Sequence, residues 1–416
     1  MNLSVRPRLA ALQATLLPVL DIVDERVEDA QIPGWCARRD WSGFLLSLTE
    51  AELERSEAEG LAVTAPQLSG IPESLAKLAA EVREQCRLPA LVSPPLGSAK
   101  PDFRGVSLRK RQQLSSLLGA LGPLVASAGR IVDVGAGSGH FTRLSAEHFG
   151  CETLGLEQNP ERVARATSRA RTDTDSGLSR GAHFAVIDAV REPLELRGDD
   201  LAIGLHACGE LGDTLVRVVA ERGCDLALIS CCLQKINSSE RSALSQMAGG
   251  FSLRKETLGL SNLTSQAMGV EASIETTLRA REARYALRLL LRGRGLDIEA
   301  GAEMRGINRR RAHSGLADIA ERALTQRALP SASDAEVRAY EAEAAKHFYA
   351  VRRLSLPRNL LARAIELCVI LDRAGRLEES GHSVRIATLF ERAVTPRNIS
   401  LFASRDATRL PALRTS

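Results

Sequence analysis

Between Arg130 and Glu157 the chain reads as a strand, a glycine loop, a helix and a second strand, and this stretch constrains the fold more than any other. Ile131-Val132-Asp133-Val134 is an apolar strand signal, Gly135-Ala136-Gly137-Ser138-Gly139 breaks it, and His140 to His148 has helical spacing. A further strand runs from Thr153 to Leu156 and ends on the carboxylate of Glu157. Glycines at alternate positions let the backbone turn tightly and approach a ligand closely. The helix start behind them offers free N–H groups to a polar or anionic group. Alternating glycines can also be a plain turn in a Gly-rich chain, but here strand, helix and acid all stand in the right order.

An acid at the second strand end can accept hydrogen bonds from ribose hydroxyls, so the expected ligand is a nucleoside. The dinucleotide fingerprint G-x-G-x-x-G/A needs a small residue where this chain has His140. G-x-G-x-G after an acidic strand residue is instead the pattern of class I S-adenosylmethionine-dependent methyltransferases. The expected cofactor is therefore S-adenosylmethionine. Its predicted contacts are Asp133, Gly135, Gly137, Gly139 and Glu157, with Asp188, at the end of a third strand His183 to Ile187, beside the adenine.

Strand signals recur at Leu201 to Leu205 and Leu226 to Ser230, alternating with helices from Pro160 to Arg171 and Asp213 to Glu221. Such alternation makes a parallel sheet, whose ligands bind outside the carboxyl ends of the strands. His206 and Cys208 follow the fourth strand, and Cys231 and Cys232 the fifth, so all four are expected at the mouth that holds the glycine loop. The predicted fold is α/β, a Rossmann-like sheet, with four regions. Residues 1–95 are helical, with Trp35, Trp41 and Phe44 as core anchors, and end at the break Ser93-Pro94-Pro95-Leu96-Gly97-Ser98. Residues 96–237 form the first part of the core, entered through Arg109-Lys110-Arg111 and a helix Leu114 to Val125. Residues 238–355 form a helical insertion after the fifth strand, with helices around Thr264 to Leu291 and Asp334 to Phe348. Residues 356–416 complete the core with a helix, Asn359 to Glu378, and strands Val384 to Phe390 and Ile399 to Ala403.

At 416 residues and 44% hydrophobic content the chain can bury a substantial core. A net charge of +4 is too mild to establish nucleic-acid binding, and 3% aromatic residues argue against a stacking platform for single strands. The eight cysteines lack zinc-finger spacing and no signal-peptide pattern precedes them, so reduced thiols and a cytoplasmic location are expected. No apolar run is long enough for a membrane-spanning helix.

The order of these pieces resembles the methyltransferase-like twenty-five proteins of eukaryotes and their bacterial relatives. The matching segments are the basic stretch around Lys110, Asp133 to Gly139, Gly155-Leu156-Glu157, Gly204 to Leu211 and Cys231-Cys232, then Ile370-Leu371-Asp372-Arg373 and Leu389-Phe390 through Thr395-Pro396-Arg397-Asn398. Together they cover about residues 95 to 405. Gln112-Gln113 and Leu233-Gln234 depart from the His-Glu and aromatic-His usual in that group. The resemblance implies a methyltransferase fold and its cofactor, and a related His-x-Cys-Gly plus Cys-Cys-His pattern in a tRNA ribose 2′-O-methyltransferase brings RNA into view.

Three readings stand for His206, Cys208, Cys231 and Cys232: small residues at strand ends with cysteine as packing, zinc ligands from thiolates and imidazole, or a thiolate that attacks a cytosine ring. His206 is the candidate base or substrate-orienting group. No resident metal is expected, because methyl transfer to an aligned nucleophile needs none. The expected activity is methylation of a macromolecule, RNA or protein, with Lys110, Arg309, Arg310 and Arg311 as candidate substrate contacts, and Arg352 and Arg353 as further phosphate contacts. The alternative is a binding scaffold that holds S-adenosylmethionine without turnover.

Overall fold

A computed structural model describes residues 4–96, 102–175, 181–261, 274–299, 301–391, 394–395 and 397–414. The chain divides into two compact units. The first comprises Met1–Ala14, Gln85–Thr264 and Ala362–Ser416, and the second Thr15–Glu84 and Ser265–Leu361. The sequence boundaries thus fall differently in space: most of the N-terminal helices and most of the 238–355 stretch make up one unit. Gly97 and Ser98 of the expected break, residues 264–273 of the expected long helix, and Pro396 lie outside the described residues.

The first unit is built on seven strands: β1 (Arg130–Val134), β2 (Thr153–Glu157), β3 (Ala182–Val186), β4 (Asp200–Leu205), β5 (Asp225–Ile229), β6 (Ser383–Thr388) and β7 (Ile399–Ser404). Their order is β3-β2-β1-β4-β5-β7-β6. β1 to β5 are mutually parallel, while β7 runs antiparallel to both β5 and β6. This is the α/β sheet expected, with its antiparallel last strand. All residues of β4, β5 and β7 are buried, as their near-continuous apolar sequence requires of strands covered on both faces.

From β1 the chain goes to β2 and β3 on one side and to β4 and β5 on the other, so the strand order reverses beside β1. A crevice opens outside the strand ends at such a switch point. Register sets what faces it. Asp133 lies opposite both Gly155 and Ile203, and Leu205 lies opposite Ile229, so the chain leaves β4 and β5 side by side.

The helix Leu108–Val125 begins six residues earlier than its apolar run, taking Arg109, Lys110 and Arg111 into its first turn. Its Leu114, Leu117, Leu118 and Leu121 are fully buried with Ile131, Leu201, Ile203, Ala227 and Phe402 in one core. Burial of each leucine contributes about 1.5–3 kcal/mol relative to exposure. Helices His140–Phe149, Pro160–Asp175 and Gly209–Arg222 connect the strands, and Leu356–Glu379 leads into β6. One expectation fails here: after β5 the chain forms not only helices but a two-residue antiparallel ladder, Glu240–Arg241 with Leu253–Arg254.

In the second unit Trp35 and Trp41 are buried edge-to-face at 6.3 Å, as core anchors should be. Arg352 and Arg353 are buried there too, which corrects their reading as phosphate contacts. Arg352 pairs with Glu57 at 2.8 Å, and Arg353 donates to the Leu48 carbonyl at 2.9 Å. Their charges serve helix packing because the carboxylates that neutralise them come from the same unit.

Candidate active site

A cavity of about 510 Å³ lies at the carboxyl ends of β1, β2 and β4 and is lined by Gly135, Glu157, Asp188, His206, Cys208, Glu210 and Lys235 among others. Gly135, Gly137 and Gly139 all have positive φ, the conformation glycine adopts without penalty. A Cβ on Gly137, at φ +61°, would meet nothing nearer than the Gly135 carbonyl at 4.0 Å. The space beside it is therefore free for a ligand.

Glu157 braces this loop. One carboxylate oxygen accepts the Gly137 N–H at 2.9 Å and the other the Asn159 N–H at 3.1 Å. A carboxylate has about four acceptor positions, so each oxygen keeps one for a ligand hydroxyl. Asp133 sits below the loop, fully buried, and accepts the Thr142 hydroxyl at 2.7 Å. Burial pushes its carboxyl up to about 6, against the pull of Thr142 and of the Lys110 charge. Asp188 caps its own turn through Val190 N–H at 3.2 Å and faces the cavity from beyond β3.

Lys110 is half-buried and, among the described residues, makes no hydrogen bond or ion pair. Burial lowers its pKa, while Asp133 partly restores it. His206, just past β4, has φ +72° and is held by its N–H on the Ile229 carbonyl at 2.8 Å. Burial, and then the charges of Lys110, Arg397 and Arg109, hold its imidazole down to about 3. The neutral imidazole this favours can accept a hydrogen bond at one nitrogen while donating one from the other.

Because β4 and β5 are paired neighbours, the cysteines following them meet. Cys208 and Cys231, with Cα atoms 5.4 Å apart, form a disulfide, which differs from the thiols expected of all eight cysteines. Cys232 Sγ joins them, and the three sulfur atoms lie within 4.8 Å of one another. Arg310 and Arg309, exposed, and Arg311, paired with Asp318 through Nε at 3.0 Å, belong to the second unit, whereas Lys110 belongs to the cavity's own unit, where its charge acts on Asp133 and His206.

Sequence reasoning missed the support beneath this site. Arg373, 0% exposed, donates to the Gly209 carbonyl at 2.7 Å, to Asp213 at 2.8 Å and to the Ser230 hydroxyl. Arg241 grips the same Asp213 at 2.9 and 3.0 Å and reaches Asp372 at 2.8 Å. Burial opposes ionisation of Asp213, but Arg373 and Arg241 hold its carboxyl below the usual range. The loops after β4 and β5 are thus tied to one buried guanidinium. The sequence signal was Asp372-Arg373 inside an apolar helix, a buried charge that needs partners.

Residues 109–239 match the family described as a methyltransferase domain. A tocopherol O-methyltransferase from chloroplasts of Arabidopsis thaliana is 30% identical over 117 residues, which are 27% of this chain and 32% of that protein. The chain therefore spans about a third of the length of this curated relative. Among solved structures, an S-adenosylmethionine-dependent methyltransferase from Mesorhizobium loti is 23% identical over 37% of this chain and 65% of its own, with a TM-score of 0.24. The YcgJ protein of Bacillus subtilis is 22% identical over 27% and 50%, with a TM-score of 0.21. Residues 109–239, about a third of the chain, thus carry the likeness to a methyltransferase domain.

Proposed function

We propose that this chain transfers a methyl group from S-adenosylmethionine to a nucleophile on an anionic macromolecule, RNA in preference to protein. The observation that carries the reading is one cavity lined both by Glu157, which accepts the Gly137 amide N–H, and by His206. The cofactor fits the donor set: Glu157 keeps two acceptor positions for ribose hydroxyls, Gly137 leaves space beside its Cα, and Asp188 stands at the adenine end. When bound, it supplies an electrophilic methyl group on a sulfonium. The residues of the chain do the rest by binding and orienting. Neutral His206 orients the acceptor by hydrogen bonding, since burial and the neighbouring cations that hold its imidazole down to about 3 make it a poor proton acceptor. Lys110, with Arg109 and Arg397 near His206, favours an acceptor that carries negative charge. Alignment of nucleophile and methyl group supplies most of the rate.

A second reading is methylation of a small molecule, favoured by the tocopherol O-methyltransferase among the relatives. Transfer of labelled methyl from S-adenosylmethionine into extract from a strain lacking the protein separates the two. Nuclease-sensitive label supports RNA, protease-sensitive label a protein acceptor, and label extracted into organic solvent the small-molecule reading. No label in any fraction would overturn catalysis and favour the scaffold.

A further inference from the structure

The cysteines at the cavity are unused by the transfer reaction just proposed, yet they are gathered with more order than packing needs. Three sulfur atoms from two loops lie within 4.8 Å of one another. Cys208 lines the cavity and is half-buried, whereas Cys231 is 7% exposed behind it. The Cα separation of 5.4 Å lies within the range that a disulfide spans without backbone movement. Both sulfurs also face the main-chain carbonyl of His206, Cys208 Sγ at 2.9 Å and Cys231 Sγ at 3.7 Å. As thiols, both can donate to that oxygen. As a disulfide, neither can.

We propose that Cys208 and Cys231 form a reversible thiol–disulfide modification site on the wall of the cofactor cavity, with a low-molecular-weight disulfide of the glutathione class as oxidant. Cys208, the more accessible member, reacts first. Its thiolate forms a bond to one sulfur of the external disulfide and displaces the other as a thiolate. The Cys231 thiolate then attacks the Cys208 sulfur of this mixed disulfide and expels the second external thiolate. Two protein thiols have lost two protons and two electrons, and the external disulfide has been reduced to two thiols. A dithiol reductant restores both protein thiols by the same kind of exchange and is itself oxidised to a disulfide.

The consequence reaches the site through His206. Its carbonyl loses two sulfur donors on oxidation, while its backbone stays in a left-handed conformation that side chains other than glycine adopt only under constraint. The imidazole that lines the cavity hangs from that peptide. Cys232, whose N–H points at Cys208 Sγ at 3.4 Å, is the third thiol of the cluster and stays free.

This inference rests on the cofactor reading for its effect but not for its chemistry, so the two fail separately. The full-length chain is equilibrated with oxidised glutathione or with dithiothreitol, and cross-linked peptides, free thiols, bound zinc and affinity for S-adenosylhomocysteine are measured. Oxidation is expected to remove two thiols and link Cys208 to Cys231, to leave Cys232 free, and to change the affinity at least about threefold, with no link in Cys208→Ser. Absence of the link, a link that runs mainly through Cys232, or equal affinity in both states overturns the proposal. One equivalent of bound zinc with thiols protected from glutathione also overturns it, in favour of a metal site. A link that forms while neither state binds S-adenosylhomocysteine supports the thiol site and sinks the cofactor reading.

Discussion

Replacement of Glu157 tests the cofactor end of the cavity because its two carboxylate oxygens have different duties that one substitution can separate. Each oxygen already accepts a backbone N–H, from Gly137 and from Asn159. In Glu157→Gln one of these positions becomes an NH2 group whichever way the amide turns. A backbone N–H then faces another donor at a buried site, at a cost of about 1–3 kcal/mol. In Glu157→Ala the carboxylate is gone, water from the cavity can serve both N–H groups, and the ligand loses its charge-assisted hydrogen bonds. Both variants should weaken S-adenosylhomocysteine binding by about 1–3 kcal/mol, roughly 5- to 150-fold in Kd. In the absence of ligand, glutamine should lower the unfolding temperature more than alanine does, although it is the closer isostere. Calorimetric titration and thermal unfolding of the three proteins give both quantities. A glutamine variant that binds like wild type, or is the more stable of the two, would refute this account. Asp188→Ala should cost less binding than Glu157→Ala, since the Asp188 side chain is 26% exposed against 8% for Glu157 and solvent can replace it.

Gly137→Val should fold with a loss of about 1–2 kcal/mol, the cost of a side chain at positive φ, yet lose S-adenosylhomocysteine binding; calorimetry that finds unchanged affinity would remove this loop from the site. Arg373→Met should destabilise the protein by about 3 kcal/mol in urea unfolding, at the low end for a broken buried pair because Arg241 still holds Asp213, and the lysine variant should recover only part of this. A loss below about 1 kcal/mol would show that the two loops do not depend on it. His206 links stability to pH: its folded pKa of about 3 lies below the unfolded 6.5, so between these values the unfolded chain binds the extra proton. Its contribution is fully present above pH 6.5 and is lost as the pH falls toward 3. The drop in unfolding temperature from pH 7.5 to pH 5 should therefore be smaller in His206→Asn than in wild type, and an identical drop would contradict a buried neutral imidazole.

The sheet was legible because parallel strands buried on both faces are written as apolar runs, and each of the seven ends within about two residues of its sequence signal. The glycine loop was legible for a different reason: a backbone at positive φ leaves few residue choices. What sequence could not supply was pairing across distance. Arg373 meets Asp213 over 160 residues and Ser230 over 143, and no local pattern records such a contact. Cys208 and Cys231 were placed at one mouth by topology, but their bond depends on the register of Leu205 against Ile229. The basic residues misled where charge was read as exposure. Arg352 and Arg353 look like a phosphate grip in sequence, but Glu50 and Glu57 lie some 300 positions earlier and claim them first.

The insertion of β7 between β5 and β6 has a consequence for how the protein comes to exist on the ribosome. Every residue of β5 is buried, and its outer edge is closed by β7, with Leu228 opposite Leu401. Until β7 is made, that strand has an open row of amides and carbonyls, the kind of edge that recruits other strands. Residues 85–264 of the nascent unit must wait for 362–416, while 265–361, which belong to a separate compact unit, are synthesised in between. The sheet that carries the cavity can close only once residues 399–404 have been made, so a ribosome stalled near residue 390 would present an unfinished and aggregation-prone sheet with its glycine loop already in place.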